Sequence, residues 1–379
     1  MKILFIVPYY KPAYIYGGPI VVIARLAETL VAMGHLVTVY TSTANGENDL
    51  PVVPGEPTLV DGVTVYYFTR VTGDNTNASP ALWQQLNRTA KSFDVVHIHS
   101  WWNFLVLGAA WVCRRHNIIP IVSPHGMLSD YILTANNAFK KKVIHKMLGK
   151  RLLTNSVVHV STPMEWEESQ KIVPGWRGRI IANLVNLPSE PHERRDSDVF
   201  TIGFLSRVDP KKGLDILLNA LKNVAAPCKL LIAGAGSEEY TDELKKLATS
   251  IGVADKIEWV GWKNGEAKFE FFAKLDLFAL TSHSENFAIV VIEALATGTP
   301  VMISENVGLF QYVQTQDYGW ITSLKPAEVA VAIEAAIHDK QKRQRIAAIA
   351  PSAIRVEYDD KRLAQQYLNL YTDSISKQV

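Results

Sequence analysis

The chain has 379 residues, 48% apolar and 20% charged, with a formal net charge of +2. That length suits two domains of about 150 residues each, and the near-neutral balance argues against a dedicated nucleic-acid binder. Cys113 and Cys228 read as small buried apolar residues, imply no disulfide framework and fit a reducing compartment. Met1 to Pro8 is too short an apolar run for a signal peptide, and no apolar run has the length of a membrane span. A cytoplasmic protein is expected, with any membrane contact peripheral and at the inner face.

In the first half, strands are predicted at Lys2–Val7, Leu36–Thr41, Val63–Phe68, Asp94–His97, Pro120–Ser123 and Val157–Ser161. They alternate with helices at Pro19–Met33, Ser79–Lys91, Phe104–His116, Phe139–Thr154 and Met164–Gln170, and residues 45–61 read as a loop or hairpin. The first strand leads to Gly17-Gly18 ahead of a helix with Pro19 in its first turn. A flexible backbone there can lie against a phosphate or a sugar, or be a tight turn only. His97 and His99 share one face of their strand, and His125 precedes Gly126 after the next. His125 is the better site candidate; a zinc centre lacks a third ligand at suitable spacing. Residues 139–153 are basic and amphipathic, so Lys140–Arg151 could lie on an anionic membrane or be a solvated helix face.

Residues 189–197 are polar and unpatterned, the best linker candidate. A second alternating series follows: Val199–Leu205, Leu214–Val224, Cys228–Ala233, Tyr240–Ser250, Ile257–Val260, Gly265–Ala273, Leu277–Thr281, Phe287–Ala296, Pro300–Ser304 and Ala327–Ile337. Two such series imply an α/β protein of two doubly wound, Rossmann-like domains facing a cleft. Domain one is expected at 1–188 and domain two at 198–359, and a helix in 360–379 closes the series.

Three segments of this half carry chemistry. Arg207 leaves the carboxyl end of a strand and Lys212 follows five residues later, a guanidinium and an ammonium suited to one diphosphate. Gly234 and Gly236 permit close backbone approach but lack the third glycine of a dinucleotide fingerprint. Glu285 stands at the mouth of a helix, and Glu293 lies roughly 9–12 Å further along its axis. Between them the N–H groups of Asn286, Phe287, Ala288 and Ile289 can face an anion. Alternatively, Glu285 is a capping residue and Glu293 is solvated.

In their order along nearly the whole chain, these motifs resemble a family 4 glycosyltransferase of the GT-B fold. Glu285 and Glu293 match the family's E-x7-E, Arg207 and Lys212 its R-x4-K, and Gly17-Gly18 its N-terminal glycine loop. The segment from Ser123 through His125 to Met127, with the basic helix, is similar to members that build exopolysaccharide and lipopolysaccharide. Residues 181–186 resemble the family's domain junction. Where the family usually reads E-G-F-G, this chain has Glu285-Asn286-Phe287-Ala288.

The resemblance implies a retaining, metal-independent transferase. It would move a sugar from a nucleotide-diphosphate sugar, UDP-sugar favoured, to a glycan or lipid-linked glycan in cell-surface polysaccharide synthesis. No cofactor beyond the donor is expected. By the same resemblance Arg207 and Lys212 hold the diphosphate and Glu293 the ribose. Glu285 binds the transferred sugar, His125 sits by the anomeric carbon, Gly18 approaches the diphosphate or acceptor, and Trp262 lies where the base is gripped. The rivals are a GT-B epimerase or phosphorylase and a non-catalytic nucleotide-sugar-binding partner of a glycan assembly complex. A dehydrogenase lacks its glycine motif. Trp83, Trp101 and Trp102 read as an acceptor wall or as core.

Overall fold

A computed structural model describes residues 1–73, 76–134, 143–189 and 199–376. The chain divides into two compact units, Met1–Leu184 with Asp359–Val379, and Val185–Tyr358. Each is built on its own sheet.

The first unit runs through β1 (Lys2–Ile6), β2 (Leu36–Ser42), β3 (Ala44–Asn45), β4 (Asn48–Asp49), β5 (Pro57–Val60), β6 (Val63–Phe68), β7 (Val95–His99), β8 (Ile121–Ser123), β9 (Val157–Val160) and β10 (Gly178–Ile180). Its main sheet has the order β10-β9-β8-β7-β1-β2-β6-β5, and β3 pairs with β4 apart from it. Only β5 in the main sheet runs antiparallel, joined to β6 by Asp61-Gly62. Both of those residues have positive φ, as a two-residue primed turn demands. The central strands are apolar on both faces because helices cover both. Leu4, Ile6, Ile98, Val122 and Val158 pack with Leu82, Leu86, Leu105 and Trp176 in one core. Trp101 is fully buried in that core, while Trp83 and Trp102 are partly buried against it, which removes Trp101 from any acceptor wall.

Helix Gly18–Ala32 follows β1, and helix Asp360–Ile375 packs on it, with Arg25 paired to Asp360 at 2.5 Å. The basic helix is described only from residue 143, as a π turn at His145–Gly149 and a short helix Lys150–Leu153. Lys140, Lys141 and Lys142 lie outside the described residues, as do residues 190–198 of the expected linker. Among the described residues no helix is long and apolar enough to cross a membrane.

The second unit comprises β11 (Phe200–Leu205), β12 (Cys228–Ala233), β13 (Ile257–Trp259), β14 (Leu277–Leu280), β15 (Val301–Ser304) and β16 (Gly319–Thr322), with all neighbours parallel. The order is β13-β12-β11-β14-β15-β16, so the winding reverses between β11 and β14. In the first sheet it reverses between β1 and β7. Open α/β sheets bind ligands outside the carboxyl ends of the strands at such reversals. The fold thus singles out the loops after β11 and β14 in one unit, and after β1 and β7 in the other.

Several elements depart from the sequence reading. Helix Lys340–Glu357 was not foreseen, and it contains Pro351. It packs on helix Ile289–Ala296, and Gly298 lies so close that an added Cβ would sit 3.0 Å from the Ala347 carbonyl. β10, β16 and helix Phe310–Thr315 were also not foreseen; each is six residues or fewer, too short for a period to register.

Candidate functional site

In the second unit, β11 leads into Ser206 and Arg207, and Asp209 then caps a 3₁₀ turn, Pro210–Lys212, by accepting from the Lys211 amide at 2.9 Å. Gly213 holds φ +63°, and a Cβ there would stand 2.0 Å from the Thr281 carbonyl at the end of β14. The Thr281 hydroxyl donates to the Gly213 carbonyl at 2.7 Å, and the His283 amide to the Lys211 carbonyl at 2.8 Å. The two loops are therefore fastened to each other by backbone, which brings Lys212 onto Glu285 as an ion pair.

Glu285 is held from its far side by 305–308: its amide donates to the Asn306 carbonyl at 3.0 Å, and the Gly308 amide donates to its carbonyl at 2.8 Å. Ser282 donates to the carboxylate at 3.3 Å. Arg207 is exposed and makes no hydrogen bond or ion pair with the described residues. Lys211 is pulled below its ordinary pKa, first by burial, with Lys212 and Arg207 adding to the effect and Glu285 opposing it. These charges thus act on one another at one place. Lys211 is half-buried, not a fully solvated lysine.

Helix Ile289–Ala296 begins two residues later than expected, because Ala288 takes the left-handed conformation (φ 59°, ψ 71°). No side chain caps this helix, and Glu285 is not its N-cap. The first amides of the helix are thus left for an anion. Phe287 is buried edge-on to Tyr358, centroids 6.2 Å apart, and anchors the turn. A left-handed alanine costs about 1–2 kcal/mol. Ala288→Gly removes that cost but adds chain entropy, so it should raise stability by roughly 0.5–1 kcal/mol. A urea midpoint at or below the parent's would contradict the strain.

Glu293 is buried and pairs with Lys268 from helix Gly265–Ala273. It is therefore not solvated. Burial pushes its pKa up, and Lys268 pulls it back. Trp262, in the loop between β13 and that helix, is 53% exposed. Gly234 and Gly236 are accounted for within the fold, since a Cβ on them would sit 2.2 and 2.0 Å from the Ser206 and Val208 carbonyls.

In the first unit, Gly17 (φ +84°, ψ −150°) turns the chain from β1 into its helix, so that Gly18 starts it. Tyr9 and Tyr16 stack beside this turn, centroids 3.5 Å apart. After β7 and β8, Ser100, Trp102 and His125 all hold positive φ. Non-glycine residues in that region cluster where function overrides local preference. The Ser100 amide donates to the Ser123 carbonyl at 2.8 Å, and Glu165 accepts from the Gly126 amide at 2.7 Å. His97, His99, His125 and His159 pack together around Ser123. Burial drives the His125 pKa down to about 3 and that of His159 to about 4. Among the described residues no group of three or more His, Cys, Asp or Glu side chains could hold a metal ion.

The structure thus gathers Arg207, Lys212, Glu285 and the turn 286–289 at one reversal, and Gly17, Gly18 and His125 around the carboxyl edge of the other sheet. Lys268, Glu165, His159 and Tyr371 were missed. Lys268 lies three residues past Gly265, on a helix the sequence did show, yet nothing local marks its partner.

Two family profiles match the chain: one described as glycosyl transferase 4-like domain over residues 17–183, the other as glycosyl transferases group 1 over residues 189–352. An uncharacterised glycosyltransferase of Methanocaldococcus jannaschii is 26% identical, over 98% of each chain. Sucrose-phosphate synthase from Thermosynechococcus elongatus superposes with a TM-score of 0.77 at 18% identity, over 100% of both chains. The Anabaena protein HepE, solved with UDP and glucose, superposes with a TM-score of 0.73 at 21% identity, over 98% of this chain and 100% of its own.

Proposed function

This chain belongs to the family 4 glycosyltransferases, transferase enzymes of the GT-B fold, and from that premise we propose that it moves a sugar from a nucleotide-diphosphate sugar to a glycan or lipid-linked acceptor, with retention and without a metal. The observation that carries the proposal is the joining of Arg207, Lys212, Glu285 and an uncapped helix start at the reversal between β11 and β14. As the bond from C1 to oxygen breaks, negative charge gathers on the departing diphosphate. Arg207, Lys212 and the amides of 288–290 would meet that charge in place, where preorganised dipoles and charges are worth most. In this reading Glu285 takes hydroxyls of the sugar, Glu293 the ribose, Trp262 the base, and His125 a polar atom near the anomeric carbon. UDP-sugar is the favoured donor, in line with the UDP bound by HepE.

Cell-surface polysaccharide synthesis is the proposed setting, with peripheral contact to an anionic membrane through Lys140–Arg151. Support among the described residues comes from exposed Val143 and Leu148 and from Arg114, which donates to the Arg151 carbonyl at 3.3 Å. Trp111 is exposed on helix Phe104–Arg115, with the Arg115 guanidinium 5.8 Å from its ring centroid. Such aromatic and basic groups suit a lipid interface.

The test is thermal unfolding in EDTA with UDP, GDP and ADP, each at about 100 times its Kd, where mass action adds roughly 5–10 °C. One nucleotide should shift the transition, and Glu293→Gln should lose most of that shift. Transfer from the matching nucleotide sugar should then persist in EDTA. A folded protein that no nucleotide stabilises would sink the reading.

A further inference from the structure

The buried imidazoles of the first unit form a chain whose proton positions follow from its ends. The Ile181 carbonyl only accepts, so His159 Nε2 donates to it at 2.9 Å. His159 Nδ1 must then accept from the Ser123 hydroxyl at 2.6 Å. Ser123 has thereby spent its proton, so its oxygen accepts from His97 Nε2 at 2.7 Å. His97 Nδ1 accepts in turn from the Tyr371 hydroxyl on helix Asp360–Ile375, at 2.9 Å. Every member is neutral, and burial keeps His97 and His159 from gaining a second proton.

His97 is thus locked, and its ring lies against His99 with centroids 3.9 Å apart, while Phe5 meets His99 edge-on at 4.9 Å. His99 Nδ1 is 3.1 Å from His125 Nε2. His99 Nε2 is buried and has no partner among the described residues. One of the two rings donates across the 3.1 Å contact. If His125 donated, His99 would carry its own proton on the buried, unpartnered Nε2. Orphaned buried N–H groups are rarer than under-satisfied acceptors. The donor is therefore His99 Nδ1, and His125 carries its proton on Nδ1. Among the described residues that atom has no partner, and His125 is only partly buried.

We propose that His99 is a positioning residue: it holds His125 as the neutral Nδ1–H tautomer, presenting one hydrogen-bond donor to an oxygen of the bound sugar or phosphate. This rests on the reading that His125 stands beside the reacting sugar.

The experiment is long-range proton–nitrogen NMR of the full chain labelled on histidine, with His125→Asn to identify the signals. His125 should show a protonated Nδ1 and a bare Nε2. His99→Asn, whose amide falls near the place of Nδ1, should preserve that pattern. His99→Leu should let His125 shift to the Nε2–H form and lower kcat on the order of 10²-fold, with the donor KM little changed. A wild-type His125 protonated on Nε2 overturns the proposal, as does His99→Leu with the Nδ1–H form intact. Should the leucine variant fail to unfold cooperatively, the wild-type spectrum and His99→Asn decide alone. Absence of a nucleotide-induced thermal shift would overturn the transferase reading and leave the tautomer assignment standing, so the two failures are distinct.

Discussion

Lys212→Ala should lower kcat/KM by about 10²–10³, most of it in kcat, the range seen when one preorganised donor to a developing anion is removed. Two effects add. The ammonium that would face the diphosphate is gone, and among the described residues the Ser282 hydroxyl is then the hydrogen-bond donor left to the Glu285 carboxylate. An unpaired carboxylate beside a phosphate then repels the group the site must stabilise. The double variant Lys212→Ala with Glu285→Gln should therefore recover part of the donor affinity but little of kcat. Lys212→Arg should remain impaired, because a planar fork does not replace a point charge. Steady-state kinetics with the donor varied at fixed acceptor decides it. An alanine variant within about threefold of the parent would show that Lys212 does not face the developing charge.

Lys268→Met should be the most destabilising single change near the site, about 3 kcal/mol at pH 8, because it strands a buried carboxylate without its cation. Lys268 and Glu293 side chains are 18% and 4% exposed, so water can do little to replace the pair. The pH dependence carries the diagnosis. Burial already raises Glu293 above its ordinary pKa, opposed by Lys268. For a group raised in the fold, the associated stability is complete below the unfolded value, about 4.3, and is lost as pH climbs through the folded value. Removing Lys268 raises that folded value further and widens the loss. The deficit of Lys268→Met should thus shrink steadily from pH 8 to pH 5, as Glu293 takes up a proton. Urea unfolding of parent and variant across that range measures it. A deficit independent of pH would assign the loss to packing of the lysine stem instead. Nucleotide affinity should weaken with the same pH trend if Glu293 receives the ribose as a carboxylate.

Much of this was legible locally. β1, β2, β6 and β7 read as apolar runs because both of their faces are covered, and the loop basic in Arg207, Lys211 and Lys212 stood out between a strand and a helix. Residues 45–61 read as a loop or hairpin, and the structure puts the hairpin turn at Asp61-Gly62. Helix Lys340–Glu357 did not show, since Pro351 interrupts it and long polar residues fill its first turns. Ala288 was visible as a departure from a glycine pattern, but its left-handed backbone, and with it the later start of helix Ile289–Ala296, needed the fold.

The sequence by itself determined the inventory: which cations, carboxylates and imidazoles leave strand ends, and in what order along the chain. Only the tertiary structure decided which of them meet. Lys268 finds Glu293 across 25 residues, Lys212 finds Glu285 across 73, and Tyr371 finds His97 across 274. The physical reason lies in the order β13-β12-β11-β14-β15-β16, and its counterpart in the first sheet. Strand order is set by which apolar faces bury together over the whole unit, and no window of local propensity contains that information.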